Sequence, residues 1–105
     1  MERITPSGLK ERLDSGEKIT IVDVRESEEL EICRLPDVVH IPLSGFASGY
    51  TELDPDGSYA MLCHHGIRSA QAAGFLTQAG FKDVINIEGG IELWAQEVDS
   101  TLQRY

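Results

Sequence analysis

The sequence predicts an α/β domain with a central, mostly parallel sheet of about five strands and helices on both faces. Short apolar runs rich in β-branched residues alternate with stretches of helical periodicity, which is the pattern of βαβ units. A length of 105 residues fits one domain, 1–105. A composition of 41% hydrophobic and 26% charged residues is typical of a globular domain that builds its own core.

Two helices and two strands are predicted in the first half of the chain. Thr5 followed by Pro6 is typical of a helix N-cap with proline at the first helical position. The run from 19 to 24 is almost continuously apolar and β-branched, which favours a strand buried on both faces. The predicted order is helix 6–16, strand 19–24, helix 26–31 and strand 38–41.

The second half is predicted to repeat the strand and helix pattern after a loop. Gly, Ser, Asp and Pro are frequent in 44–57, which indicates a surface loop with at most one helical turn. Ala72, Leu76 and Ala79 share one face of the next helix, and Gly80 is its predicted C-cap. The order here is loop 44–57, strand 59–63, helix 69–79, strand 84–87 and helix 91–98. Cys63 thus ends a strand, where parallel sheets place reactive groups.

The charge and the cysteines exclude several classes of function. A net charge of -9 repels nucleic acid and anionic membranes, so neither is an expected partner. An anion site must then be built locally, from backbone N–H groups and a placed arginine. Cys33 and Cys63 form no disulfide framework. The first residues lack the apolar run of a signal peptide, and no segment is long enough to span a membrane. We therefore expect a cytoplasmic protein with reduced thiols.

The segment from Cys63 to Ser69 carries the residues that suggest chemistry. A loop between a strand and a helix can curl so that its N–H groups form an anion nest, and the helix dipole adds positive potential. Gly66 permits the required backbone angle, and Arg68 adds a forked cation. A cysteine in this setting exists largely as the nucleophilic thiolate. The predicted nucleophile is Cys63, and the predicted substrate-binding residues are His64, His65, Gly66, Ile67, Arg68 and Ser69.

Four motifs occur in an order that points to a known family. Asp23-Val24-Arg25 is followed by Glu29, and His40-Ile41-Pro42-Leu43 comes next. The segment Cys63–Ser69 has the form C-x-x-G-x-R-S, and Gly89–Trp94 has the form G-G-x-x-x-W. In these motifs, over nearly its whole length, the chain resembles the rhodanese family. The stretch 33–38 departs from the usual family pattern and looks like rhodanese domains joined to enzymes that activate sulfur-carrier proteins.

The resemblance implies a sulfurtransferase. The Cys63 thiolate would take the outer sulfur from thiosulfate or a persulfide, hold it as a persulfide, and pass it to a thiol acceptor or, in the test tube, to cyanide. This covalent mechanism needs no metal and no organic cofactor. Asp23 and Arg25 would support the loop, with Asp23 accepting loop N–H groups and Arg25 pairing with Glu29 at helical spacing. A small sulfur donor and a thiol acceptor, such as a sulfur-carrier protein, are the expected partners of a monomer.

Other interpretations remain open from the sequence. A cysteine phosphatase or arsenate reductase is one, although phosphatases of this architecture have a loop one residue longer between Cys and Arg. A docking module or sulfur carrier with little turnover is another. Metal binding by Cys63, His64 and His65 is disfavoured, because adjacent histidines point in different directions and the usual ligand spacings are missing. Cys33 could form a disulfide with Cys63, but a packed cysteine at a helix end is the simpler interpretation.

Overall fold

A computed structural model describes all residues, 1–105, and contains one parallel five-stranded sheet. The strands lie in the order β1-β5-β4-β2-β3, so the chain crosses over several times. The predicted fold class is confirmed. The strands are β1 (Glu2–Ile4), β2 (Thr20–Asp23), β3 (Val39–His40), β4 (Ser58–Leu62) and β5 (Asp83–Ile87).

Helices cover both faces of the sheet. The helices are α1 (Pro6–Asp14), α2 (Ser27–Ile32), α3 (Phe46–Gly49), α4 (Ile67–Gln78) and α5 (Gly90–Glu97). Leu9 of α1 and Trp94 of α5 belong to the apolar cluster on one face. Leu76 of α4 and Phe46 of α3 belong to the cluster on the other face. The predicted N-cap is confirmed, because the Thr5 side chain accepts the N–H of Gly8. None of the helices has the length and apolar character that a membrane crossing requires.

The structure differs from the predicted elements in three places. The strand β1 is absent from the prediction, because three residues are too few to show a periodic pattern and pairing with β5 is what fixes them. Residues 43–52 are more helical than expected, since buried Phe46 anchors α3 between two 3₁₀ turns, Leu43–Gly45 and Tyr50–Glu52. Helix α4 begins at Ile67, two residues earlier than predicted, so the loop after β4 is shorter.

The register of the sheet brings the motif residues to one edge. Asp23 of β2 pairs with Leu62 of β4, so the carboxyl ends of these strands are level. The residues that follow these strands, including Arg25 and Cys63, therefore lie at the same edge of the sheet. Strand β5 is the other neighbour of β4, and it leads into the Gly89-Gly90 turn at the same edge. The resulting cluster of strand ends is where the sequence predicts the site.

Candidate active site

The Cys63 thiol lies immediately after β4 and is almost fully enclosed. Its residue is 1% exposed, yet its sulfur is not surrounded by aliphatic groups alone. The Gly66 N–H donates to Cys63 Sγ at 3.0 Å, and the thiol donates to Ser69 Oγ at 3.3 Å. Cys63 lines a small open cavity of about 280 Å³ together with His64, His65, Ile67 and Arg68. Although it is buried, Cys63 thus borders a cavity that is open to solvent.

The carbonyl groups of the loop are held from outside. The first turn of α5 donates to the carbonyls of Cys63 and His64, at 2.9 and 3.1 Å. The side-chain amide of Asn86, on β5, donates to the carbonyl of Gly66 at 3.1 Å. These bonds fix the orientation of three peptide planes in the loop. Asn86 is a site residue that the sequence analysis misses, although it is the only polar residue within the buried part of β5.

The N–H groups of the same peptide planes are left free. All peptide bonds are trans, so each N–H points opposite to the carbonyl that α5 or Asn86 holds. The N–H groups concerned donate no hydrogen bond within the protein, and they belong to His64, His65 and Ile67. A run of free N–H groups at the start of a helix is the arrangement that binds anions. This geometry fits an anionic sulfur on Cys63.

Two glycines let α5 and β5 approach the loop this closely. Gly66 has φ +106, and a Cβ there would lie 3.2 Å from the Gly89 nitrogen. Gly90 has φ +60, and a Cβ there would lie 2.4 Å from the His64 carbonyl oxygen and 2.5 Å from that of Cys63. A side chain at Gly90 is therefore incompatible with the observed contact. The sequence marks the Gly-Gly pair only as a motif, and the structure shows that its role is close packing.

Arg68 lines the same cavity, but its guanidinium is already occupied. Its two terminal nitrogens donate to the two carboxylate oxygens of Glu29, each at 2.9 Å. The hydrogen bonds to Glu29 raise the pKa of Arg68, although burial alone would lower it. The nearby charge of Cys63 also raises this pKa. Burial would raise the pKa of Glu29, but the bonds from Arg68 and Tyr105 hold it below its usual value. Arg68 makes no hydrogen bond to Cys63 Sγ, and the forked cation expected at the anion site is bound by Glu29 instead.

Tyr105 covers part of the site from the end of the chain. Its ring stacks on His64 with centroids 3.8 Å apart, and His64 stacks in turn on His65 at 3.9 Å. The Tyr105 hydroxyl accepts from Arg25 at 3.1 Å and donates to Glu29 at 3.0 Å. Burial, and then repulsion from His65, lowers the pKa of His64. The histidine pair is thus a stacked wall of the cavity, and the expectation that the two rings point in different directions is wrong. No three His, Cys, Asp or Glu side chains are grouped so as to hold a metal ion.

Asp23 and Arg25 form a buried ion pair beside the loop. Arg25 donates to the Asp23 carboxylate through Nε and Nη2, and both side chains are 0% exposed. Burial alone would lower the pKa of Arg25, but the bonds to Asp23 and Tyr105 raise it. The expectation that Asp23 accepts loop N–H groups is wrong, because Arg25 occupies it. The expected Arg25–Glu29 ion pair is also wrong, because Arg25 binds the Glu29 carbonyl at 3.2 Å while the carboxylate binds Arg68.

Cys33 lies at the end of α2 and is partly buried. It packs against the apolar cluster that contains Leu9 and Trp94, and its sulfur is 4.0 Å from Arg25 Nη1. Arg25 Nη2 also donates to the Cys33 carbonyl at 2.9 Å. The position therefore fits the interpretation of a packed cysteine at a helix end.

Comparison with known proteins places the chain in a family. The family model of the rhodanese-like domain matches residues 5–97. "Thiosulfate sulfurtransferase GlpE" of Pseudomonas savastanoi is 34% identical over 97% of this chain and 95% of its own. "Putative sulfur carrier protein YrkF" of Bacillus subtilis is 38% identical over 91% of this chain, which spans 52% of that protein. The chain thus covers about half of that relative's length.

Solved structures agree with this. A rhodanese-like domain protein from Staphylococcus aureus has a TM-score of 0.85 at 30% identity, covering 100% of this chain and 99% of its own. A rhodanese-related protein from Thermoplasma volcanium has a TM-score of 0.84 at 35% identity, covering 93% and 94%. The family model and the near-complete overlap with these relatives lead to one conclusion: the chain belongs to the rhodanese-like domain family.

Proposed function

We propose that this protein is a sulfurtransferase that carries sulfane sulfur as a persulfide on Cys63. The observation that carries the proposal is the hydrogen bond from the Gly66 N–H to Cys63 Sγ, at 3.0 Å, in a loop whose neighbouring N–H groups are free. Such donors stabilise S⁻ on the resting cysteine and the terminal S⁻ of a persulfide alike. A loop that only packed a cysteine into the core would have no use for them.

The proposed reaction has two halves. In the first, the Cys63 thiolate attacks the outer sulfur of the donor, a new S–S bond forms, and the donor's own S–S bond breaks. The leaving group departs with the bonding electron pair, as sulfite from thiosulfate or as a thiolate from a persulfide. In the second, an acceptor thiolate, or cyanide, attacks the outer sulfur and releases the Cys63 thiolate. Sulfur moves with no net oxidation, so no further oxidant or reductant is required.

The names of the relatives support this reaction. The Pseudomonas relative is named a thiosulfate sulfurtransferase, and this chain spans 95% of it. The Bacillus relative, named a sulfur carrier, supports a second candidate in which the protein is loaded and docks with little turnover. Both candidates use a Cys63 persulfide. They differ in whether release to a small acceptor is fast.

A steady-state assay with cyanide as acceptor tests the proposal, with thiosulfate and a persulfide as donors in parallel. We expect transfer from the wild type, no transfer from Cys63→Ser, and nearly wild-type transfer from the matched control Cys33→Ser. Transfer that survives in Cys63→Ser would refute the proposal. Loading without turnover would favour the sulfur carrier, and Cys63-dependent hydrolysis of a phosphotyrosine mimic would favour a phosphatase.

A further inference from the structure

The cavity above Cys63 has one arginine and no lysine in its lining, and that arginine is already paired. Both terminal nitrogens of Arg68 are bound by Glu29 at 2.9 Å. Glu29 is fixed in this position, because the Tyr105 hydroxyl donates to the same carboxylate at 3.0 Å. A substrate anion that bound the Arg68 guanidinium would have to displace the Glu29 carboxylate, which accepts three hydrogen bonds.

Three other arginines near the site are paired with carboxylates as well. One of them, Arg3, lines a neighbouring cavity with His65 and lies 3.9 Å from Glu88. Arg25 is fully buried against Asp23, and Arg104 is bound to Glu92 on the first turn of α5. The chain as a whole has 18 acidic and 9 Lys and Arg side chains. The field at the opening is therefore neutral to negative, which disfavours the approach of a dianion. The free N–H groups of the loop are the remaining anion-stabilising element, and they suit one small charge on sulfur.

We propose that Glu29 is a specificity-determining residue, and that by occupying Arg68 it directs the site toward persulfide donors, R–S–SH, and away from thiosulfate. This inference rests on the proposed sulfurtransferase function. The Cys63 thiolate attacks the terminal sulfur of R–S–SH, and the S–S bond of the donor breaks. The thiolate RS⁻ leaves with the electron pair, while the proton stays on the transferred sulfur as Cys63–S–SH. Charge balances in this step. The donor enters in its neutral form, R–S–SH, so it brings no second anion beside the Glu29 carboxylate.

Glu29→Gln provides the test, because it keeps the shape of the side chain and removes the charge that neutralises Arg68. Initial rates are measured with thiosulfate and with the persulfide of N-acetylcysteamine, using cyanide as acceptor. In the wild type we expect kcat/KM for the persulfide to exceed that for thiosulfate by about tenfold or more. In Glu29→Gln the ratio should shift toward thiosulfate by on the order of tenfold, mainly through a lower KM for thiosulfate.

Glu28→Gln is the matched control, since it removes the same charge from the exposed side of α2. It should leave the ratio of the two donors unchanged. Salt gives a second measurement that needs no variant. If the opening repels thiosulfate, the kcat/KM of the wild type for thiosulfate rises with ionic strength. In Glu29→Gln the repulsion is weaker, so this effect of salt becomes smaller or reverses.

A purely structural role for Glu29 would reduce both activities together and leave their ratio fixed, which would overturn the inference. Equal kcat/KM values of the wild type for thiosulfate and for the persulfide would also overturn it. Failure of the underlying function looks different: neither donor would yield transfer in the wild type, and the inference would fall with it.

Discussion

Replacing Gly90 with alanine tests the contact between α5 and the active loop. A Cβ at this position would lie 2.4 to 2.5 Å from three backbone atoms of Cys63 and His64, and no flexible side chain is available to yield. Real Cβ contacts stay above 3.0 Å, so the loop and the helix must separate by about 0.6 Å. The φ of +60 adds backbone strain of roughly 1–2 kcal/mol for alanine.

Together these effects should lower the free energy of unfolding of Gly90→Ala by roughly 2–4 kcal/mol. The hydrogen bonds from α5 to the carbonyls of Cys63 and His64 would lengthen, and the loop N–H groups would turn with them. Because misplacement by about 1 Å can reduce a rate by two orders of magnitude, we expect transfer to fall on the order of tenfold to a hundredfold. Urea unfolding and the cyanide assay measure the two effects separately.

Alanine substitutions at two other glycines separate the steric clash from the backbone strain. Gly16 has φ +96, and a Cβ added there would meet no atom within 4 Å, so Gly16→Ala isolates the backbone strain and should keep full activity. Gly74 lies in α4 with open space around it, and Gly74→Ala should stabilise the protein by roughly 0.5–1 kcal/mol. If Gly90→Ala proves as stable and as active as Gly16→Ala, α5 does not constrain the loop.

Three further predictions concern a buried ion pair, a helix cap and a histidine that titrates. Asp23→Ala leaves Arg25 as an unpaired buried charge and should lower the free energy of unfolding in urea by roughly 3–5 kcal/mol; a change below about 1 kcal/mol would contradict a buried pair. Thr5→Ala removes a helix cap and should cost about 1 kcal/mol in the same assay, with no loss expected if the cap bond is absent. His64 has a folded pKa below its ordinary 6.5, so its contribution to stability is complete above about pH 6.5 and is lost as pH falls through the folded pKa. An NMR titration of His64 should show a midpoint below 6.5, and a midpoint above it would contradict the partly buried stack with Tyr105.

The order of the elements and the place of Cys63 could be predicted because both depend on local patterns. The β-branched run of β2 and the apolar face of α4 follow from neighbouring residues, and parallel strands bring their carboxyl ends to one edge. The strand β1 could not be found in this way. Its pairing partner, β5, lies at the other end of the chain, and the pattern of three residues carries almost no information.

The partners of the charged residues could not be predicted for a similar reason. Helical spacing favoured Arg25 with Glu29, but the fold brings Arg68, 39 residues away, to that carboxylate. Tyr105 reaches Glu29 across 76 residues. Once Glu29 is taken, the buried Arg25 satisfies its charge with Asp23, two residues away. These choices depend on which groups are buried together, and short-range spacing does not determine that.

The stoichiometry of sulfur bound to the protein tests the central claim most directly. The protein is treated with a persulfide donor, freed of small molecules, and examined by mass spectrometry with peptide mapping and by cyanide release of sulfur. We expect one added sulfur atom per chain on Cys63, in the wild type and in Cys33→Ser, and none in Cys63→Ser. Sulfur found on Cys33 instead, or equal loading of Cys63→Ser, would contradict it.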